Sequence, residues 1–191
     1  MLSQALVFLV ETVLGLFALT LLLRFYLQLV RAPFRNPISR FVCAATDFAV
    51  IPARRLVPGL WGMDLATLAL AWLAQSLDLF LVFQIKSLGM GPSPVIMLLG
   101  VALIAAAQLF KMSVYILMVA VIAQAVLSWV NPHTPVAPVL DALTRPFLRP
   151  IQKRLPPLGG VDLSPLLLII ACQLLLMLPV AWLEANALRV F

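Results

Sequence analysis

The stretch "RPIQKRLPPLGGVDLSP" (Arg149–Pro165) repeats the chemistry of an earlier one, "IPARRLVPGLWGMDLAT" (Ile51–Thr67): proline, a basic cluster, proline, glycine, then an aspartate opening an apolar run. Sliding the chain on itself by 98 residues sets Pro37 on Pro135, Thr46 on Thr144, Pro52 on Pro150, Arg55 on Lys153, Pro58 on Pro156, Gly62 on Gly160 and Asp64-Leu65 on Asp162-Leu163. Upstream, at an offset of 100, Glu11–Val30 lies over Lys111–Val130 with apolar character kept and identity weak. Composition alone can make two apolar segments similar. It does not supply matched Pro, Gly and Asp in order, so an internal duplication is the economical reading. The units divide as residues 1–90 and 91–191.

The rest of the chain says what each unit is. Of 191 residues, 64% are hydrophobic and 10% charged, with a mean hydropathy of +1.12. Soluble domains average roughly 45–50% and about 25%, so this is a polytopic membrane protein. A spanning helix needs about 20 mostly apolar residues. Four segments serve: Leu2–Val30, Leu65–Ile85, Val95–Val130 and Leu166–Leu183. Period-two alternation is missing, which excludes a barrel. The third segment would be ~54 Å long as one helix. Its middle, "QLFKMSVY" (Gln108–Tyr115), contains no Gly, Pro, Asn or Asp to turn on, so it reads as one long helix, tilted or bent, with Gly100 as a candidate bend. The first apolar run lacks a basic leader and a small-residue cleavage site, so it reads as retained. The predicted fold class is an all-α membrane protein: four transmembrane helices in two parallel helix–amphipathic connector–helix repeats.

Charge orients it. Nine of the 13 Lys and Arg residues fall in the two connectors: Arg31, Arg35, Arg40, Arg54 and Arg55, then Arg145, Arg149, Lys153 and Arg154. The positive-inside rule puts both connectors in the cytoplasm and both termini on the periplasmic side of a bacterial inner membrane. Splitting the third segment would place one basic connector on each side, against the rule. The net charge of +6 therefore marks orientation rather than nucleic-acid binding.

Within the connectors, Ile38, Phe41, Val42, Ala45 and Phe48, and likewise Val136, Val139, Leu140, Leu143 and Phe147, recur at helical spacing. Each set predicts a short amphipathic helix in the headgroup layer, ended by Pro52 or by Pro146/Pro150. Arg54, Arg55, Arg149, Lys153 and Arg154 suit anionic lipid, at about 1 kcal/mol each near the surface, or an acidic protein partner. Asp64 and Asp162 read first as helix caps, with Ser164 as a second cap before Pro165. The sharper reading closes each loop by pairing the aspartate with its own basic cluster.

Ionisable groups at membrane depth are costly and default to a functional hypothesis. Glu11, Asp78 and Lys111 lie roughly 21–30 Å above the cytoplasmic helix ends. The blander assignment is an intramembrane ion pair that fixes helix packing; the sharper is a cation path through Glu11 and Asp78. Arg24 is expected to snorkel to the headgroups or to touch Gln124, its counterpart. Gln75, Gln84, Gln108 and Gln173 read as interhelical glue. His133 sits in a Pro-rich loop and reads as a surface residue, while Cys43 and Cys172 show no metal or disulfide spacing. With no nucleophile–base pair, metal-ligand cluster or phosphate loop, no enzyme, cofactor or metal is expected.

The doubled pattern of proline, basic cluster, glycine and Asp-Leu, sharpest in "TRPFLRPIQKRLPPLGGVDLSP" (Thr144–Pro165), resembles the YggT family, also called YlmG, over nearly the whole chain. The first copy departs from it by "WGMDLA", and Gln152 and Lys153 stand where arginines are usual. The resemblance implies roles tied to osmotic or extracytoplasmic stress, cell division or nucleoid distribution in bacteria, and to haem attachment to a cytochrome in plastids. It carries over no catalytic residues. The expectation is a non-enzymatic scaffold or assembly factor binding anionic membrane lipids, or a membrane or cytoplasmic protein partner, with a homo-oligomer left open. The alternative is a small ion channel or transport subunit serving osmotic balance.

Overall fold

The computed structural model describes residues 1–33, 36–59, 62–87, 94–131, 133–154 and 162–180. Its elements are helices: α1 (Leu2–Leu29), α2 (Pro37–Leu56), α3 (Leu65–Ser87), α4 (Pro94–Val130), α5 (Ala137–Arg154) and α6 (Ser164–Leu175), the last running on as a π-helical turn, Leu176–Val180. The order apolar helix, connector helix, apolar helix thus occurs twice, as α1–α2–α3 and as α4–α5–α6. Among the described residues, three helices are long and apolar enough to cross a membrane: Leu2–Leu29, Leu65–Lys86 and Met97–Val130. The fourth apolar helix, Ser164–Leu178, is shorter over the described residues. Residues 181–183 of the expected fourth span, with Arg35, Pro156 and Gly160 of the charge and repeat readings, lie outside the described residues.

The third apolar segment is one uninterrupted helix of 37 residues, helical through both Gly100 and Lys111, as the missing turn residues require. α1 carries apolar side chains all round, the pattern of a helix facing lipid on one side and protein on the other. Leu2, Leu6, Phe8, Leu9, Val13 and Leu16 face outward, while Ala18, Leu21, Leu22 and Leu27 are sealed against neighbours. α1 packs most extensively on α3, and α4 in turn packs most extensively on α3.

Local chemistry sets the bends. α1 ends in a Schellman motif: the Arg31 N–H donates to the Gln28 carbonyl (3.0 Å) and the Ala32 N–H to the Leu27 carbonyl (2.9 Å). Arg31 takes the left-handed position at φ 51°, normally glycine's place, and burial of Leu27 against Ala32 accompanies it. α2 then starts from Asn36, whose side chain accepts from the Ser39 N–H at 2.8 Å, with Pro37 in the first turn.

The connector helices do not stop at their prolines: α2 continues past Pro52 to Leu56, and α5 past Pro146 and Pro150 to Arg154. Each proline removes one backbone bond, but all three are exposed, so water can satisfy the carbonyl that is freed. Nor do the apolar connector residues form one face. In α2 the stripe Ser39, Val42, Thr46 and Val50 is buried in the bundle, while Phe41, Phe48 and Ile51 face outward; Phe48 still reaches Phe17 of α1, ring centroids 5.5 Å apart. In α5, Val139, Leu140, Leu143, Thr144 and Leu148 are buried and Phe147 is half exposed. Val50 enters a core with Ala18, Leu21, Leu22, Ala71 and Leu109. Val139, Leu140 and Leu143 pack with Leu27, Ala32 and Ala120, which joins α5 to both α1 and α4. The connectors are therefore structural members of the bundle as well as surface helices.

Candidate functional site

Each connector is held by two polar contacts, and the contacts fall at corresponding positions. In the first, Arg24 of α1 donates through Nη1 to Thr46 Oγ1 (2.8 Å) and Asp47 Oδ1 (2.7 Å) of α2. Arg24 is 4% exposed and Thr46 fully buried, so the guanidinium stays inside the bundle and does not snorkel to the headgroups. A charge buried there needs compensation on the spot, and the adjacent Thr and Asp supply it. Thr46 donates its own proton to the Val42 carbonyl. In the second unit Thr144 hydrogen-bonds Gln124 of α4 and donates to the Leu140 carbonyl. Gln124 therefore meets Thr144 rather than Arg24. The signal that could have found both contacts was on view: Thr46 and Thr144 match in the repeat, as do Arg24 and Gln124.

The second contact closes the loop before the return helix. Asp64, just ahead of α3, accepts from Arg54 Nη2 at 2.6 Å and Nε at 3.1 Å. It also accepts from the Thr67 N–H at 3.3 Å and the Thr67 hydroxyl at 2.5 Å. It is thus both cap and ion-pair partner, uniting the two readings of its role. With its amide nitrogen turned to Asp64, Gln28 joins the same junction at 2.8 Å and accepts from Arg54 at 2.6 Å, tying the ends of α1, α2 and α3 together. Burial pushes the Asp64 carboxyl up, but the hydrogen bonds from Arg54 and Thr67 outweigh it and hold the group below its ordinary 3.8. Asp162, ahead of α6, accepts from Gln152 Nε2 at 2.8 Å and from the Ser164 N–H at 2.8 Å. Its partner is the neutral Gln152, not Lys153 or Arg154. Burial raises its carboxyl, and the bonds from Ser164 and Gln152 bring it below 3.8. Ser164 is the first residue of α6 rather than its cap; Leu163 holds that position and contributes no side-chain bond.

These contacts decide which cations remain available. Arg54 is committed to Asp64, though its side chain is still 43% exposed. On α5, Arg145, Arg149 and Lys153 follow one another at four-residue spacing and are exposed, as are Arg154 beside them and Arg55 on α2. Arg145 meets Asp141 one turn away at 3.9 Å with both side chains more than half exposed, a pair worth little in water.

Within the long helices, Glu11 approaches Lys86 at 4.0 Å on the exposed surface. Asp78 is buried and accepts from Gln75 Nε2 at 3.2 Å, and Gln75 also donates to Gln108 of α4 at 2.6 Å. Gln75 and Gln108 thus bridge two helices, whereas Gln84 and Gln173 are exposed. Lys111 is part-buried on α4, three residues beyond Gln108. His133 is exposed, and Cys43 and Cys172 are free thiols.

Long apolar helices carrying connector helices clasped by polar side chains define an all-helical membrane protein. The chain belongs to the CCB3/YggT family, whose profile matches residues 3–85 and again 103–183. It is 40% identical to an uncharacterised protein of Pseudomonas aeruginosa over 93% of this chain and 89% of that one. It is 32% identical to the uncharacterised protein YggT of Escherichia coli K12 over 87% and 85%. A third relative, an uncharacterised protein of Vibrio alginolyticus, is 34% identical over 87% and 88%. No solved structure matches the chain.

The Asp64 junction has a readable pH signature. Because its folded-state pKa lies below 3.8, its stabilisation is complete above that value and is lost as the pH falls through the folded pKa. Thermal unfolding in detergent should show a loss on acidification that D64N lacks, with D64N less stable at pH 7 by at most about 1 kcal/mol, since Asn keeps the cap and only the ion pair to Arg54 is lost. R54Q, which copies the Gln152–Asp162 contact, should keep more stability than R54A.

Proposed function

We propose that the protein is a non-enzymatic inner-membrane scaffold that uses the exposed cationic face of its connectors, chiefly that of α5, to hold anionic lipid or an acidic protein partner at the cytoplasmic surface. One observation carries the reading: α5 is docked through Val139, Leu140, Leu143, Thr144 and Leu148, yet keeps Arg145, Arg149 and Lys153 exposed on its other side and Arg154 exposed at its end. A docked helix loses little freedom on binding, so its cations meet a negative surface already arranged. In this reading the chain spans the membrane four times, both units point the same way, and both termini are periplasmic. The equivalent contacts Arg24–Thr46 and Gln124–Thr144, and Arg54–Asp64 and Gln152–Asp162, support the duplicated arrangement. Membership in the family supports a link to envelope stress or cell division.

Reversing charge at R149E, K153E and R154E should abolish complementation of a deletion strain while membrane insertion is unchanged. R55E alone should have a smaller effect. Full complementation by the triple variant would refute the reading.

A second reading, a small ion conductor, is favoured by Asp78: it is 6% exposed, and its Oδ1 is buried with no hydrogen-bond partner among the described residues. A buried carboxylate oxygen without a donor is a place for a cation or a proton. This reading predicts cation flux through proteoliposomes of the wild type that D78N abolishes; wild-type vesicles as tight as empty ones would sink it.

A further inference from the structure

Between the two units lies an apolar cavity of about 520 Å³, walled by Tyr26 of α1, Val114 of α4, Leu168 and Cys172 of α6, and Pro146 and Phe147 of α5. Its lining is aliphatic and aromatic. The hydroxyl of Ser113, on the same wall, is turned back onto the Leu109 carbonyl at 2.7 Å and offers the cavity no donor. A space of this size and character suits a hydrocarbon segment and rejects a hydrated or charged ligand.

A shallow groove runs along the outer side of α5, lined by Arg145, Pro146, Arg149, Pro150, Lys153 and Arg154. Pro146 belongs to both spaces. On a helical wheel it lies between the Arg145–Arg149–Lys153 stripe and the Leu143–Phe147 edge that faces the cavity. The apolar cavity therefore opens beside fixed positive charge. Arg149 makes no ion pair among the described residues, and Arg145 has only the loose contact to Asp141.

We propose that this junction is a binding site for one anionic phospholipid, with an acyl chain in the cavity and the phosphate at Arg145 and Arg149. The inference rests on the reading that the α5 stripe meets anionic lipid, and adds to it a chain-binding slot and a fixed stoichiometry. Only a ligand with both parts uses both features: a free phosphate leaves the cavity empty, and an uncharged lipid leaves the arginines without a partner. An acidic protein segment would use the arginines and not the slot.

The test is native mass spectrometry of the full chain released from nanodiscs made of equal parts phosphatidylglycerol and phosphatidylcholine. The wild type should retain a single phosphatidylglycerol several-fold in preference to phosphatidylcholine. The pair R145Q/R149Q should erase the preference. A171F and S113L fill the cavity from two different helices, one of them at an exposed position, and both should lose the retained lipid with every cation in place. If both fillers keep wild-type retention while R145Q/R149Q loses it, the slot is overturned and the surface reading stands. If R145Q/R149Q also keeps the preference, both fall. A wild-type protein released without lipid, or as a dimer that excludes it, likewise overturns the slot.

Discussion

A guanidinium held inside an apolar bundle has to find its counter-charge where it stands, and at Arg24 that requirement fixes where α2 can lie. Leaving such an ion uncompensated costs several kcal/mol. Thr46 and Asp47 answer it from consecutive positions of one helix, and that anchors α2 in register. With residues 46 and 47 pinned, Val42 and Val50 fall into the bundle core, and Phe41 and Ile51 turn outward. Two turns on, Arg54 reaches Asp64 at the head of α3. The buried charge thus sets the connector, and the connector sets how the chain re-enters the apolar layer.

The second unit meets the same geometric demands with weaker chemistry. Gln124 replaces the buried arginine and Gln152 replaces Arg54, each bonded to the corresponding partner, Thr144 or Asp162. Neutral groups cost less to bury and need no counter-ion. The consequence reaches the surface. In α2 a cation is spent on an internal acid; in α5 the internal contact goes to an amide, and Arg149, Lys153 and Arg154 stay outward. The two connectors therefore differ in what they present along their length: α2 turns Phe41, Phe48 and Ile51 outward and keeps Arg54 and Arg55 at its end, whereas α5 carries Arg145, Arg149 and Lys153 turn after turn. The two loops can differ in this way because closure needs only a donor ten residues before the aspartate, not a charge.

Much of this was legible in the sequence. Apolar length and the absence of turn residues in "QLFKMSVY" predicted one continuous helix from residue 95 to 130, and α4 is that helix. Asp64 was recognisable as the cap of α3 because position and residue type suffice for that, whereas at α6 the cap position falls to Leu163 and Asp162 sits one residue ahead of it. The connector packing was not legible: Phe41 and Val42 are equally apolar, and only a fold says which faces the bundle. The prolines misled because a proline forbids one hydrogen bond, not a helix, where water can reach the freed carbonyl. Arg24 misled for the opposite reason. A lone basic residue near the end of an apolar run normally reaches out to headgroups, and nothing local says that Asp47, 23 residues away, will come to it. The matched threonines held that information, but a threonine in a connector has many ordinary uses.

Two clasped connectors of like design should present their basic ends at one membrane surface. Single cysteines at Arg55 and Arg154, in a chain with Cys43 and Cys172 replaced by serine, can be labelled with a membrane-impermeant maleimide in right-side-out and in inverted vesicles. The account predicts that both positions react only in inverted vesicles, where the cytoplasmic face is outside. Labelling of the two from opposite faces would contradict it.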